Sequence, residues 1–139
     1  MTFQGIDGKA KWHGTVIEEL LPVEIMDRDD RVECPQGAVV RLDNQASHPM
    51  VEDFPREWPP LLGYNRLLAK PQAEVVVRIK DDPLLVLGRY GKGRTFAWAS
   101  DCAPHWMPPA FCDWDYNRVL WQRVLDWTAG KKDETGGKE

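Results

Sequence analysis

The segment from Tyr90 to Trp106 constrains the fold more than any other part of the sequence. Gly91 and Gly93 can supply the positive φ angles of a tight hairpin turn, and residues 95–99 form a short apolar run with β-branched and aromatic side chains. The pattern predicts a buried strand that follows a turn and ends at polar residues. Ligands and reacting groups often lie where the strands of α/β sheets end, so function is expected directly after this strand.

The second half of the chain predicts a run of strands and a final helix. Residues 73–100 predict three consecutive antiparallel strands, because two further apolar runs precede the Gly91 turn. Residues 115–128 predict a helix with a broad apolar face, which packs on the sheet and stops at Gly130.

The first half predicts shorter elements. Thr15 and Glu18 have the spacing of a capping box, which predicts a helix of about two turns. Pro35-Gln36-Gly37 is typical of a turn. Short strands are predicted at residues 23–26, 31–34 and 38–42.

Composition excludes several classes of function. The 139 residues, with 42% hydrophobic residues and seven tryptophans, are enough for a single core of ordinary size. A net charge of −4 with scattered Lys and Arg argues against nucleic acid as a partner. The sequence has neither a bilayer-spanning apolar run nor a signal peptide, so we expect a cytoplasmic protein with no membrane contact. Three cysteines suit reduced thiols.

The composition of the chain also predicts its domain boundaries. Residues 1–129 are expected to form one domain, and the polar residues 130–139 a disordered tail. A doubly wound α/β protein opens with repeated strand-helix units, and none precedes Thr15. The chain is therefore expected to be the C-terminal portion of a larger domain.

Five segments of the chain together carry a resemblance to a known family: Phe3–Ala10, Leu61–Arg66, Asp82–Val86, Tyr90–Arg94 and Ser100–Trp106. They resemble the C-terminal portion of the class I glutamine amidotransferase-like proteins, and in particular the bacterial cytoplasmic branch often labelled putative glutamine amidotransferase. The resemblance covers roughly residues 3–129. It implies an α/β, flavodoxin-like three-layer fold, of which this chain would supply the consecutive antiparallel strands and the C-terminal helix.

The resemblance also implies a catalytic triad that this chain does not complete. Amidotransferases of this class take a nucleophilic Cys from a Gly-x-Cys-x-Gly elbow and a His and a Glu from a His-x-Glu motif. The sequence has no such elbow, and Trp106 and Met107 follow His105 where the acid should come. Glutamine hydrolysis by this chain alone is therefore not expected.

Asp101, Cys102 and His105 are the candidate catalytic residues. A thiolate beside an imidazole can act as nucleophile and base, and a carboxylate can orient the ring. The alternative is structural: Asp101 caps a turn, Cys102 is a small buried residue, and His105 bonds a backbone carbonyl. Cys102, His105 and Cys112 offer only three zinc ligands, so no metal site is predicted, and no cofactor either.

Two further segments are candidate ligand-binding residues. Trp106 lies in a Pro-rich loop, where it could line a pocket mouth or cover a partner subunit. Tyr64, Asn65 and Arg66 offer a phenol, an amide and a guanidinium on one short stretch. The alternative for these three residues is a solvated strand edge.

Two classes of function remain open. The first is an enzyme-like domain that acts on an amide or carbonyl compound, with an upstream segment supplying the nucleophile. The second is a noncatalytic module that binds a small molecule or assembles with itself. Because one long and one short helix cannot cover both faces of a doubly wound sheet, the chain is expected to form a homo-oligomer or to bind an upstream domain segment.

Overall fold

A computed structural model describes residues 3–5 and 10–131. Within them it contains seven strands, three α-helices and a single 3-10 turn at Pro49–Val51. The helices are α1 (Val16–Leu20), α2 (Pro109–Cys112) and α3 (Asp115–Thr128). The strands are β1 (Val23–Ile25), β2 (Arg31–Leu42), β3 (Glu57–Asn65), β4 (Leu67–Ala69), β5 (Glu74–Ile79), β6 (Asp82–Tyr90) and β7 (Gly93–Trp98).

The main sheet has five strands in the order β3-β2-β5-β6-β7, and every neighbouring pair is antiparallel. The predicted run of three antiparallel strands is therefore confirmed as β5, β6 and β7. Gly91 has φ 56°, as the two-residue turn between Tyr90 and Gly93 requires. Gly93 is the first residue of β7 and does not have the positive φ predicted for it.

The predicted turn at Pro35-Gln36-Gly37 is wrong, because β2 continues through it from Arg31 to Leu42. The pairing of β2 with β3 shifts register between Glu33 and Ala38 instead. Proline has no N–H to donate to the ladder, and Gly37 has φ 88°, so these residues fit a bulge within a strand. Strand β3, beside this bulge, was predicted only at its end, where a strand edge is the alternative for Tyr64 and Asn65.

Helix α1 is shorter than the predicted two turns, and the predicted capping box does not form, because the Thr15 N–H donates to Trp12 O at 3.1 Å and not to Glu18. The Thr15 hydroxyl donates to the carbonyl of Trp12 at 2.6 Å and caps no helical N–H. The Glu18 carboxylate accepts from the backbone N–H groups of Gly14 at 2.6 Å and Ile25 at 2.5 Å. Glu18 therefore fastens the start of the helix to β1.

The two faces of the sheet are covered by different elements. Helix α3 packs on one face through Leu120, Val124 and Trp127, which confirms the predicted C-terminal helix. A two-stranded ribbon of β1 and β4 lies on the other face, where Pro22 sits against Gly88 so closely that an added Cβ would lie 2.6 Å from the proline Cβ. Strand β7 is thus an edge strand between α3 and the α1–β1 region.

Helix α3 is followed by Ala129 and then by Gly130 at φ 75°, where the sequence predicts its end. The predicted disordered tail lies, from residue 132 onward, outside the described residues. Helix α3 has 14 residues, and none of the helices in residues 3–5 and 10–131 has the length and apolarity that crossing a bilayer requires.

Candidate functional site

The loop after β7 carries the three candidate catalytic residues, and its start is held firmly to the sheet. Ala99 N–H donates to Leu84 O at 2.9 Å and continues the β6–β7 ladder by one residue. The Ser100 side chain is buried and donates to Gly63 O at 2.8 Å. The loop therefore leaves the sheet from a fixed point, which is what a positioned reacting group requires.

Asp101 and His105 form a hydrogen-bonded pair at the start of this loop. The His105 Nδ1 atom lies 2.7 Å from Asp101 Oδ2. The Asp101 side chain is only 13% exposed, whereas the imidazole is 68% exposed. The same carboxylate oxygen accepts the backbone N–H of Trp106 at 3.3 Å. The carboxylate thus anchors an imidazole that is open to solvent.

The charge state of Asp101 determines what the imidazole can do. Burial by itself raises the pKa of Asp101, but favourable interactions of the carboxylate, which include the hydrogen bonds from His105 and from Trp106 N–H, hold the pKa below the ordinary value. The carboxyl is therefore ionised at neutral pH and can only accept hydrogen bonds. It follows that Nδ1 of neutral His105 carries the proton and that Nε2 keeps a free lone pair, which is the state of a general base.

The Trp106 indole is buried under the His105 ring and does not line the mouth of a pocket. The indole is 4% exposed, and its Nε1 donates to Glu33 Oε2 at 3.0 Å. Its carbonyl accepts the N–H of Leu62 at 2.8 Å. The His105 ring stacks on the indole at 5.5 Å between centroids and 29° between planes. His105 also has φ 153°, a strained value for a non-glycine residue.

Gly63 is what allows the indole to lie flat against β3. A Cβ added to Gly63 would lie 2.6 Å from Trp106 Cδ1 and closer still to Nε1 and Cε2. No side chain larger than hydrogen fits there while the ring stays in place. Gly63 and Glu33 were not among the predicted site residues, since only their contacts in three dimensions connect them with the loop.

Cys102 lies beside the pair without bonding to it. Its side chain is exposed, and among the described residues no hydrogen bond joins its Sγ to His105. Cys34 is buried, and Cys112 Sγ donates to Met107 O at 3.6 Å. In residues 3–5 and 10–131 no three His, Cys, Asp or Glu side chains come together as a metal site. The pair is therefore an ionised carboxylate in contact with an imidazole base, and no nucleophile is bonded to either of them among the described residues.

Tyr64 and Arg66 belong to a second cluster around Asp82. The buried Tyr64 hydroxyl donates to Asp82 Oδ2 at 2.6 Å, and Arg66 Nε donates to the same atom at 3.1 Å. Burial and the hydrogen bond to the Asp82 carboxylate raise the pKa of Tyr64 to about 12. Of these residues, only Arg66 presents an exposed side chain to a ligand.

Asn65 belongs to a third cluster, around the buried carboxylate of Asp30. Asn65 Nδ2 donates to Asp30 Oδ1 at 3.0 Å, and the backbone N–H groups of Gln4 and Gly5 donate to the same carboxylate at 2.8 and 3.1 Å. The arrangement fastens the N-terminal segment to the sheet. Asn65 is fully buried within it. Asp30 was not among the predicted site residues, because it lies in the run Asp-Arg-Asp-Asp, whose composition is typical of an exposed turn.

An apolar groove of about 620 Å³ runs from the candidate catalytic loop along β7, and we call it the apolar slot. Its walls come from the N-terminal region with α1 on one side and from α3 on the other. Cys102 lies at the end of the slot next to the Asp101–His105 pair. The lining residues are Phe3, Trp12, Ile17, Leu21, Phe96, Ala97, Trp98, Ser100, Cys102, Trp121 and Leu125.

Comparison with known proteins gives a family and two solved relatives. Residues 1–130 match the family model described as putative glutamine amidotransferase. The chain is 46% identical to a protein from Salmonella typhimurium LT2 described as the cytoplasmic protein STM1381, with a TM-score of 0.86. It is 42% identical to the Salmonella typhimurium cytoplasmic protein STM3548, with a TM-score of 0.84. None of the curated proteins compared with the chain matches it.

The two solved relatives are about twice as long as the matched region. The first match covers 94% of this chain but 51% of the relative, and the second covers 91% of this chain but 50% of the relative. The chain therefore spans about half the length of the structures that it resembles.

Proposed function

The chain belongs to the family described as putative glutamine amidotransferase, and we propose that it contributes Asp101 and His105 as an acid–base pair to the cleavage of an amide or related carbonyl compound. The 2.7 Å contact between a shielded carboxylate and an exposed imidazole, at the point where a core strand ends, carries this proposal. The substrate class follows from the family and from the chemistry of the pair.

Each residue has a defined part in such a reaction. His105 Nε2 takes a proton from the attacking nucleophile, and the resulting imidazolium later gives a proton to the leaving amine. Asp101 holds the ring through Nδ1 and stabilises the imidazolium while it exists. Trp106 fixes the plane of the ring from the side that faces the protein. Water is excluded on that side by the buried indole.

The nucleophile is proposed to come from outside the described residues. The sequence contains no Gly-x-Cys-x-Gly elbow and no His-x-Glu motif, so a complete Cys-His-Glu triad is not proposed for this chain. Cys102 is the nearest thiol in sequence, but among described residues it has no hydrogen bond to His105. Cys102 is a second candidate nucleophile, and the loop would have to move to bring its thiol to His105.

The proposal also includes a three-layer fold and a cytoplasmic location for the protein. The antiparallel strands and α3 would form the C-terminal portion of a class I, flavodoxin-like three-layer domain, in line with the family and with the likeness to half of two longer structures. A cytoplasmic location is supported by the descriptions of both relatives as cytoplasmic proteins.

Hydrolysis of p-nitrophenyl acetate tests the base at His105 without requiring the native substrate. Because general-base catalysis contributes factors of about 100 or more, His105→Gln should remove most of the protein-dependent rate, and Asp101→Asn should lower it at least several-fold. His13→Gln is a matched control, since His13 is also partly exposed and uses Nδ1 in a hydrogen bond, to Ile25 O at 2.8 Å. Equal rates for the wild-type chain and His105→Gln would refute the proposal.

Glutamine itself should not be a substrate of the isolated chain, because the triad is incomplete. Ammonia release from glutamine, followed by a coupled enzyme assay, should stay at the level of the buffer. Ammonia release that disappears in His105→Ala would show that the described residues already contain a working site.

A noncatalytic role is the second candidate function. The apolar slot has the size of a small-molecule pocket and a largely apolar lining, which favours binding of an apolar ligand or of another chain. In that case p-nitrophenyl acetate hydrolysis would not depend on His105, and substitutions in the slot would change ligand affinity alone.

A further inference from the structure

Glu33, on β2, contacts the candidate site from a different part of the sheet. Its Oε2 atom accepts the indole N–H of Trp106 at 3.0 Å, although 73 residues separate the two in the chain. We propose that Glu33 is a positioning residue, which acts through Trp106 to hold the His105 ring in its working orientation. This role deepens the proposed function and rests on it for the effect on hydrolysis, but the effect on ring orientation can be measured without any reaction.

The pairing of β2 with β3 places Glu33 directly opposite Gly63. Residues directly opposite each other in an antiparallel pair have their side chains on the same face of the sheet, so the glycine leaves an open space beside the glutamate. The Trp106 indole fills this space, and its Nε1 is the atom nearest to the position that a Gly63 Cβ would take. Glycine and glutamate therefore form one binding surface, which receives the N–H edge of the ring.

The bulge in β2 begins directly after Glu33. Glu33 is the last residue of β2 in register with β3 before the register shift, and regular pairing resumes at Ala38. A bulge bends the strand and changes the direction of its side chains, and bulges are frequent beside active sites. The segment Pro35-Gln36-Gly37, which produces the bulge, therefore lies next to the residue that bonds the indole.

The His105 ring needs more than its bond to Asp101 to stay in one orientation. The hydrogen bond at Nδ1 allows the imidazole to turn about it, and the side chain is 68% exposed. The stack on Trp106, with 29° between the ring planes, is a contact that restrains this turn. The direction in which His105 Nε2 points thus depends on the orientation of the indole.

The orientation of the indole in turn depends on Glu33. Trp106 is buried, and a buried indole N–H without an acceptor is unfavourable. Since the χ2 torsion of an aromatic side chain is broad, the bond from Nε1 to the Glu33 carboxylate selects one orientation of the ring. Glu33 itself is exposed, so a substitution there removes the bond without opening a cavity in the core.

Steady-state kinetics of p-nitrophenyl acetate hydrolysis give kcat and KM separately for each variant. Glu33→Ala should lower kcat at least about fivefold and leave KM within about twofold, because it disturbs the geometry of the base and not the binding of the ester. Glu33→Gln keeps an oxygen that can accept the indole N–H, so it should retain most of kcat. Glu57→Ala is the matched control and should not change kcat, since Glu57 is also exposed and lies at the opposite end of the β2–β3 pair.

A double-mutant cycle and an NMR comparison test whether Glu33 acts through the indole. Trp106→Phe keeps an aromatic ring beneath His105 but has no N–H for Glu33 to accept. In that background Glu33→Ala should change kcat by less than about twofold, because the hydrogen bond is already absent. In the chain with Trp106, the His105 ring-proton signals should move toward those of a free histidine in Glu33→Ala and stay in place in Glu33→Gln, because the ring lies on the indole.

Three kinetic results would overturn the role of Glu33. The first is an unchanged kcat in Glu33→Ala when hydrolysis depends on His105. The second is a kcat in Glu33→Gln as low as in Glu33→Ala, because the charge and not the hydrogen bond would then be responsible. The third is an equal fall of kcat in the Trp106→Phe background. Hydrolysis that does not depend on His105 refutes the proposed function instead, and the NMR comparison then decides alone: unmoved His105 ring-proton signals in Glu33→Ala would overturn the role of Glu33.

Discussion

Replacing Gly63 by alanine should displace the Trp106 indole that packs beneath His105 and destabilise the fold. The added methyl group would overlap the Trp106 indole, whose nearest atoms include Cδ1 at 2.6 Å, so the ring has to leave its place. An aromatic side chain buries about 150–250 Å², and at about 25 cal/mol per Å² its exposure costs about 4–6 kcal/mol as an upper limit. Partial reburial of the ring lowers this, and we expect a loss of about 3–5 kcal/mol of unfolding free energy.

Urea unfolding followed by circular dichroism measures this loss, and a double-mutant cycle identifies its cause. Trp106→Ala removes the ring that the new methyl group would strike, so Gly63→Ala should cost little more in that background. Gly91→Ala is the matched control for a glycine without steric conflict: nothing lies within 4 Å of its added Cβ, and its φ of 56° predicts a loss of about 1–2 kcal/mol from strain alone.

The reasoning is refuted if Gly63→Ala costs no more than Gly91→Ala. It is also refuted if the costs of Gly63→Ala and Trp106→Ala simply add, since the two sites would then be uncoupled. The His105 ring stacks on Trp106, so the Gly63→Ala variant should also lose p-nitrophenyl acetate hydrolysis under conditions in which it stays folded.

Three other predictions concern stability and reactivity. Asp30→Ala leaves two backbone N–H groups and the Asn65 amide without their acceptor, so it should lower the free energy of unfolding by about 3 kcal/mol or more. It should also speed proteolytic cleavage before residue 10, which limited trypsin digestion measures. Asp43 and Asp101 have folded pKa values below the ordinary 3.8, so the stability that these carboxylates contribute is present above pH 3.8 and is lost as the pH falls through their folded pKa values. Acid unfolding followed by circular dichroism should show this loss. An acid-unfolding midpoint that is the same in Asp101→Asn as in the wild-type chain would contradict the prediction. Iodoacetamide should modify exposed Cys102 before buried Cys34, and peptide mapping that finds the reverse order would contradict the described loop.

The elements that the sequence predicted correctly are those with local causes. The Gly91 turn and the apolar stripe of α3 are short-range signals, and the structure contains β5, β6, β7 and α3 where they place them. The first part of strand β3 was not predicted, because Pro59 and Pro60 argue against a strand, although an edge position tolerates them. The bulge in β2 was taken for a turn because proline and glycine occur in both.

In the candidate site, too, the sequence predicted contacts between residues close in the chain and not those between distant residues. Asp101 and His105 are four residues apart in one loop, and the sequence alone indicated that a carboxylate could orient the ring. The contacts of Trp106 with Glu33 and Gly63 join residues far apart in the chain, so no local pattern contains them. Tyr64 and Asn65 are polar and were therefore predicted to be available to a ligand, but each is hydrogen-bonded to a carboxylate, Tyr64 to the partly exposed Asp82 and Asn65 to the buried Asp30.

The tautomer of His105 tests the central claim most directly. Nitrogen-15 chemical shifts of the imidazole, measured by long-range proton-nitrogen correlation above the pH at which the ring is charged, distinguish Nδ1–H from Nε2–H. The 2.7 Å contact with ionised Asp101 predicts the Nδ1–H form, with a lone pair on Nε2, and predicts that Asp101→Asn removes this preference. A predominant Nε2–H form in the wild-type chain would contradict the account, because His105 could then not accept a proton through the atom that faces solvent.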